Sequence, residues 1–142
     1  MSAGMRPRPV IWFERVMLLA VALGILNTAL EWNYLNAAMP PPLRGLPIIA
    51  QGIFFAAYLL LLWLISRRGS RIARWVFLVL VVAAVPLAIV SPPPTLSLGP
   101  VTASIAITQY LLSLVGLELI FKADAKPWFE GRRMPVDPEI FR

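Results

Sequence analysis

Few groups in this chain are equipped to bind or transfer anything, and several of them lie inside apolar runs. The stretch "GLELIF" places Glu118 near the end of one run, with Lys122 one helical turn later. Asn27 and Glu31 fall one turn apart in another run, and Gln51, Thr102 and Gln109 complete a set of polar side chains in apolar surroundings. A carboxylate at the centre of a bilayer costs roughly 3 kcal/mol on insertion scales, so each such residue needs a reason. Glu118 has three: an anchor near the membrane surface paired with Lys122 at i+4, a contact for a basic residue of another subunit, or a proton site. Its spacing favours the anchor. Asn27, Glu31, Gln51, Thr102 and Gln109 all fall in the outer portions of their segments. Together they would line a cavity for a lipid headgroup, a quinone or a small solute, or form a hydrogen-bonded cluster that fastens helices together. The cluster is the simpler reading.

Other chemistry is harder to support. The chain has no Cys and no His, which removes disulfides, thiolate nucleophiles and imidazole ligands for zinc or haem. It has no Gly-rich phosphate loop, and no two carboxylates share a helix face. The expectation is a protein that is not an enzyme and needs no metal or cofactor.

The elements that must position these residues follow from composition. Of the 142 residues 59% are hydrophobic and 14% charged, against about 25% charged in an average soluble domain. Mean hydropathy is +0.77. These values describe an all-α membrane protein. Crossing the hydrocarbon takes about 20 apolar residues, and four runs suffice, giving expected helices at about 11–32, 46–65, 72–90 and 101–121. Helices are required because lipid offers no partner for free backbone groups. The first run is longer than an ordinary signal-peptide core and reads as a retained helix.

Charge orients the bundle. Arg6, Arg8 and Arg15 precede or open the first run, Arg67, Arg68, Arg71 and Arg74 join the second to the third, and Lys122, Lys126, Arg132, Arg133 and Arg142 follow the fourth. The other two connections carry only Arg44. The positive-inside rule then puts both termini in the cytoplasm, with antiparallel helices in an inner (plasma) membrane. The net charge of +6 is explained by this flanking pattern, so nucleic acid is not an expected partner. Trp12, Trp32, Trp63, Trp75 and Trp128 near the span ends fit an aromatic belt.

Within the fourth run Thr102, Ala106, Gln109, Ser113 and Gly116 fall on one stripe, the kind of face that packs against other helices. Ala20, Gly24, Asn27 and Glu31, with Thr28 beside them, offer a partner stripe, and Gly52 and Ala56 beside Gln51 a third. Pro86 implies a kink in the third helix. The outer loops "PPPLRGLP" and "PPPTLSLGP" share a triple proline expected to be extended, and their likeness raises a duplicated hairpin. Residues 122–142 read as a cytoplasmic tail lying on headgroups or docking a partner, with a last helical turn at Asp137-Pro138-Glu139.

From "RRGSRIARW" onward the chain resembles a loose group of small bacterial inner-membrane proteins without assigned function. The shared features are that Arg-rich turn, a fourth helix with spaced polar residues and an ending of the type "LIFKADAKPWF". The resemblance spans about half the chain and implies a four-helix membrane fold but no activity. Three functions remain open. The favoured one is a non-catalytic accessory or assembly subunit that binds another membrane protein or a second copy of itself. The others are a small transporter or channel, and a lipid- or quinone-binding protein.

Overall fold

The computed structural model describes residues 6–90 and 96–131. Helix α1 spans Arg8–Ala37, α2 Leu46–Arg68, α3 Arg71–Val90 and α4 Pro100–Phe121, and a short α5 covers Lys126–Glu130. No strand occurs among the described residues. All four long helices are long and apolar enough to cross a membrane. Asp137-Pro138-Glu139 and the second triple proline lie outside the described residues.

Helix α1 is longer than expected at both ends. At about 1.5 Å per residue its 30 residues extend beyond a hydrocarbon core of about 30 Å. Hydropathy locates the lipid-crossing part of a helix, whereas Pro and Gly locate its ends. Pro9 suits the first turn, where its missing N–H is not needed, and nothing interrupts the chain until Pro40. The first triple proline is not extended throughout. Pro41–Leu43 form a 3-10 turn, because the donors that close it belong to Leu43 and Arg44, which bond the Pro40 and Pro41 carbonyls at 2.9 and 3.4 Å. Pro86 lies within α3, which continues to Val90.

The most extensive helix contact is between α1 and α4. A Cβ on Gly116 would sit 2.5 Å from Met17 Sδ, and one on Gly24 would sit 2.8 Å from Gln109 Nε2. Seven residues forward along α1, from Met17 to Gly24, thus correspond to seven back along α4, from Gly116 to Gln109. A further seven along each helix reach Glu31 and Thr102, both buried. Each layer sets a smaller side chain against a larger one. Lipid tails are as apolar as leucine, so close packing, rather than escape from solvent, holds such helices together. The buried face of α1 comprises Val10, Phe13, Met17, Ala20, Val21, Gly24, Asn27 and Glu31, which includes the whole expected stripe. On α4, Thr102 and Gly116 are buried, with Ala106, Gln109 and Ser113 half-buried between them.

Helices α2 and α3 join this pair mainly at the Arg-rich end. The buried residues of α2 are Leu62, Ile65 and Ser66, and those of α3 are Ala73, Phe77 and Val81. Phe77 meets Phe13 edge-on at 5.5 Å. Toward the proline loops α2 leans away, so Gly52 and Ala56 are exposed and do not pack inside the bundle as their spacing suggested. A Cβ on Gly52 would meet nothing within 4 Å. Trp12, Trp32, Trp63 and Trp75 are exposed, as a belt needs. Trp128 is half-buried. Its indole donates to the Ile65 carbonyl at 3.2 Å.

These contacts separate two glycines by environment. Gly116→Leu should lower stability in detergent by about 1–3 kcal/mol through overpacking against Met17 and Phe13. Gly52→Leu should melt with the wild type. Equal losses for the two variants in a thermal melt would overturn the packing argument.

Candidate interhelical site

The five polar residues divide between two places. Asn27 and Glu31 lie one turn apart on the buried face of α1, where Asn27 Nδ2 donates to Glu31 Oε1 at 2.9 Å. Both are more than nine-tenths buried, with relative exposures of 6% and 8%. Thr102, also buried, starts α4 and donates its hydroxyl to the Gly99 carbonyl at 3.0 Å. The Gln109 amide lies against Gly24, with the Phe55 ring on the same glycine. One turn further along, Ser113 donates its hydroxyl to the Gln109 carbonyl at 3.0 Å. Asn27, Glu31, Thr102 and Gln109 therefore form a polar ladder along the α1–α4 seam. Direct side-chain packing at Gly24 and Gly116 closes that seam.

Gln51 stands apart. It lines a groove of about 570 Å³ between α1 and α2, opened where α2 leans away. Ile25, Thr28, Ala29, Trp32 and Asn33 form one wall, and Ile48, Gln51, Gly52 and Phe55 the other. Thr28 gives its hydroxyl proton to the Gly24 carbonyl at 3.0 Å, which satisfies it within its own helix. Apolar walls carrying an amide and a missing side chain at Gly52 suit an apolar rod, either a helix or a lipid chain.

Glu118 points away from the seam. Its carboxylate is 3.5 Å from Lys122 Nζ at i+4, and the side chain is 70% exposed. The pair that the spacing allowed is formed.

Two features at the Arg-rich end were not foreseen. Glu14, in the second turn of α1, accepts from Arg6 and from Arg67 of α2 at 2.5 and 3.1 Å. The second partner is 53 residues away, beyond the reach of any local spacing argument. The start of the tail, in turn, does not simply lie on headgroups. Residues 123–130 fold onto the turn between α2 and α3, where Ala125 and Phe129 are buried. Arg71 Nε donates to the Phe129 carbonyl at 2.8 Å, and the Arg74 guanidinium lies 4.7 and 4.8 Å from the Phe121 and Phe129 rings. Gly69 makes the turn with φ of +58°, and a Cβ there would be 2.6 Å from the Trp128 carbonyl. Glycine serves both needs at once. The segments "RRGSRIARW" and "KADAKPWF", widely separated in sequence, thus touch.

In comparisons with known proteins, the chain matches no family model, no curated protein and no solved structure.

Because Glu118 and Lys122 are exposed, their ion pair contributes only about 0–1 kcal/mol. Glu118→Gln should leave folding, abundance and oligomeric state close to wild type in size-exclusion chromatography. Release of a co-purifying subunit by this variant would reassign Glu118 to a partner contact.

Proposed function

We propose that this chain is a non-catalytic integral membrane protein that receives a transmembrane helix of another membrane protein in the α1–α2 groove, as an accessory or assembly subunit. The observation that carries this reading is the open face of α2. Gly52 has nothing within 4 Å of its Cβ position, and Gly52 and Ala56, one turn apart, are both exposed. Paired small residues let membrane helices approach closely, and a neighbouring Gln supplies an interhelical hydrogen bond. The other two glycines inside the long helices, Gly24 and Gly116, are each met by side chains of the chain itself.

In this reading the helices alternate in direction across a bacterial inner membrane, with both termini in the cytoplasm. Two things support it: basic residues gather at one end of the helices, and the paired positions on α1 and α4 run in opposite order. Trp32 and Asn33 at the groove favour a second occupant, a lipid or quinone, since an amphipathic ring and an amide suit a headgroup zone. Transport gains less support, because the polar ladder is packed shut at Gly24 and Gly116.

Orientation is testable with cysteines at two exposed positions, Leu98→Cys and Asp124→Cys. An impermeant thiol reagent on intact cells should label position 98 and spare 124; the reverse pattern would invert the topology. For the groove, tagged wild type and Gly52→Leu would be purified in mild detergent and their companions identified by mass spectrometry. The variant should keep wild-type melting and lose a membrane protein that the wild type retains in fixed ratio. Retention of that protein by the variant would refute helix docking. Loss of a bound lipid or quinone instead would establish the second occupant.

A further inference from the structure

Asn27 and Glu31 leave one atom unexplained. Asn27 uses its amide N–H on Glu31 Oε1 at 2.9 Å, while its carbonyl oxygen, Oδ1, is buried with no hydrogen-bond partner. Buried acceptors are almost always paired, so an orphan calls for a donor. The neighbours do not supply one. Thr102, seven residues before Gln109 on α4, directs its hydroxyl proton to the Gly99 carbonyl. Reversing the Asn27 amide would set its oxygen against a carboxylate oxygen, which is repulsive if Glu31 is ionised.

Nor, among the described residues, does a cation pair with this carboxylate. The described ion pairs engage Glu14, Glu118 and Glu130, and none of them engages Glu31. On the elements packed against this part of α1, charged side chains are remote. The only one on α4 is Glu118, and those on α2 and α3 are Arg67, Arg68, Arg71 and Arg74, all at the Arg-rich end. Tyr58 of α2, Tyr110 of α4 and Tyr34 of α1 itself are the other titratable groups in the region. The nearest charge along the chain is Arg44, past the 3-10 turn.

We propose that Glu31 is a proton-binding site, carrying its proton as a carboxylic acid that pairs with the Asn27 amide in a closed ring of two hydrogen bonds. A carboxylic acid and a primary amide are complementary. The amide N–H donates to one carboxyl oxygen, as observed, and the acid O–H on the other donates to the amide carbonyl. The terminal torsion of a Glu side chain is soft, so Oε2 can turn toward Oδ1 without moving the helix. One proton then accomplishes two things: it removes an uncompensated charge from the seam and satisfies the orphan acceptor. Loss of that proton leaves a lone carboxylate between α1 and α4, next to an acceptor without a donor. This proposal is independent of what occupies the α1–α2 groove, since Asn27 and Glu31 lie on the buried face and do not line it.

Infrared spectroscopy of the protein in lipid nanodiscs, with isotope-labelled glutamate, tests it directly. Wild type at neutral pH should show the carbonyl band of a protonated carboxylic acid, and the band should vanish on sufficient alkalinisation. It should be absent from Glu31→Gln, whose amide preserves the pairing with Asn27, and present in Glu118→Gln. In Asn27→Leu the band should shift to higher frequency, because the carbonyl loses its donor. A wild-type spectrum with only ionised glutamate at neutral pH would overturn the proposal, whether or not sodium is present. So would a band that survives in Glu31→Gln or does not move in Asn27→Leu. If Glu31→Gln fails to fold, the wild-type titration and the Asn27→Leu shift still decide the matter.

Discussion

Gly116 and Gly24 set how closely α1 and α4 approach, and much of the architecture depends on that distance. At Gly116 the space of a side chain is taken by Met17 and Phe13, and at Gly24 by Gln109 and Phe55. In a bilayer, burying apolar surface against another helix instead of lipid yields little, so complementarity of shape is the main source of association. The layers repeat at seven-residue steps, which keeps the seam on one face of both helices. With α1 and α4 in contact, Phe13 meets Phe77 edge-on, and Tyr58 of α2 lies beside the same Phe77 ring. The other two helices dock on the surface that this pair makes.

That docking is uneven, and the unevenness is what gives the molecule an accessible surface. At the Arg-rich end, a glycine turn, an aromatic clasp and the Arg67 bridge to Glu14 bind α2 and α3 to the pair. At the opposite end α2 has no buried residue before Leu62, and α3 has none after Val81. A groove opens where nothing of the chain's own competes for Gly52. Cohesion at one end permits separation at the other, because the turn at Gly69 fixes where α2 and α3 begin to diverge.

Local periodicity made part of this legible. Four helices, the buried stripe of α1 and the Glu118–Lys122 pair follow from spacing along single helices, which a sequence displays directly. Gly52 and Ala56 show the limit. Their spacing matches a packing face as well as that of Gly24 or Gly116, but a glycine gives no sign of whether its neighbour is in the same chain. Trp128 shows another limit. Its type and place near a span end match an interfacial anchor, while its indole is engaged with the last turn of α2. Contacts between distant segments, such as Glu14 with Arg67 or Arg71 with the Phe129 carbonyl, arise only after the bundle forms. The triple proline failed for a different reason. Proline's fixed φ serves a 3-10 turn as well as an extended strand, and the residues after it supply the closing donors.

The carboxylates follow a gradient along the helices that ties fold to chemistry. Glu14 has two arginines, Glu118 a lysine one turn away and Glu130 a lysine one turn before it, all at the Arg-rich end where basic side chains are plentiful. Glu31 lies toward the opposite end, where the helices carry no basic residue, and its described partner is the amide of Asn27. The same charge asymmetry thus decides which acids find a cation. Where cations are at hand, an ion pair suffices. At Glu31 the sequence supplies an amide in place of a cation, and an amide complements a neutral acid better than an ionised one, since it offers an acceptor beside its donor. The polar end of the seam is therefore set by the absence of basic residues from that end of the helices.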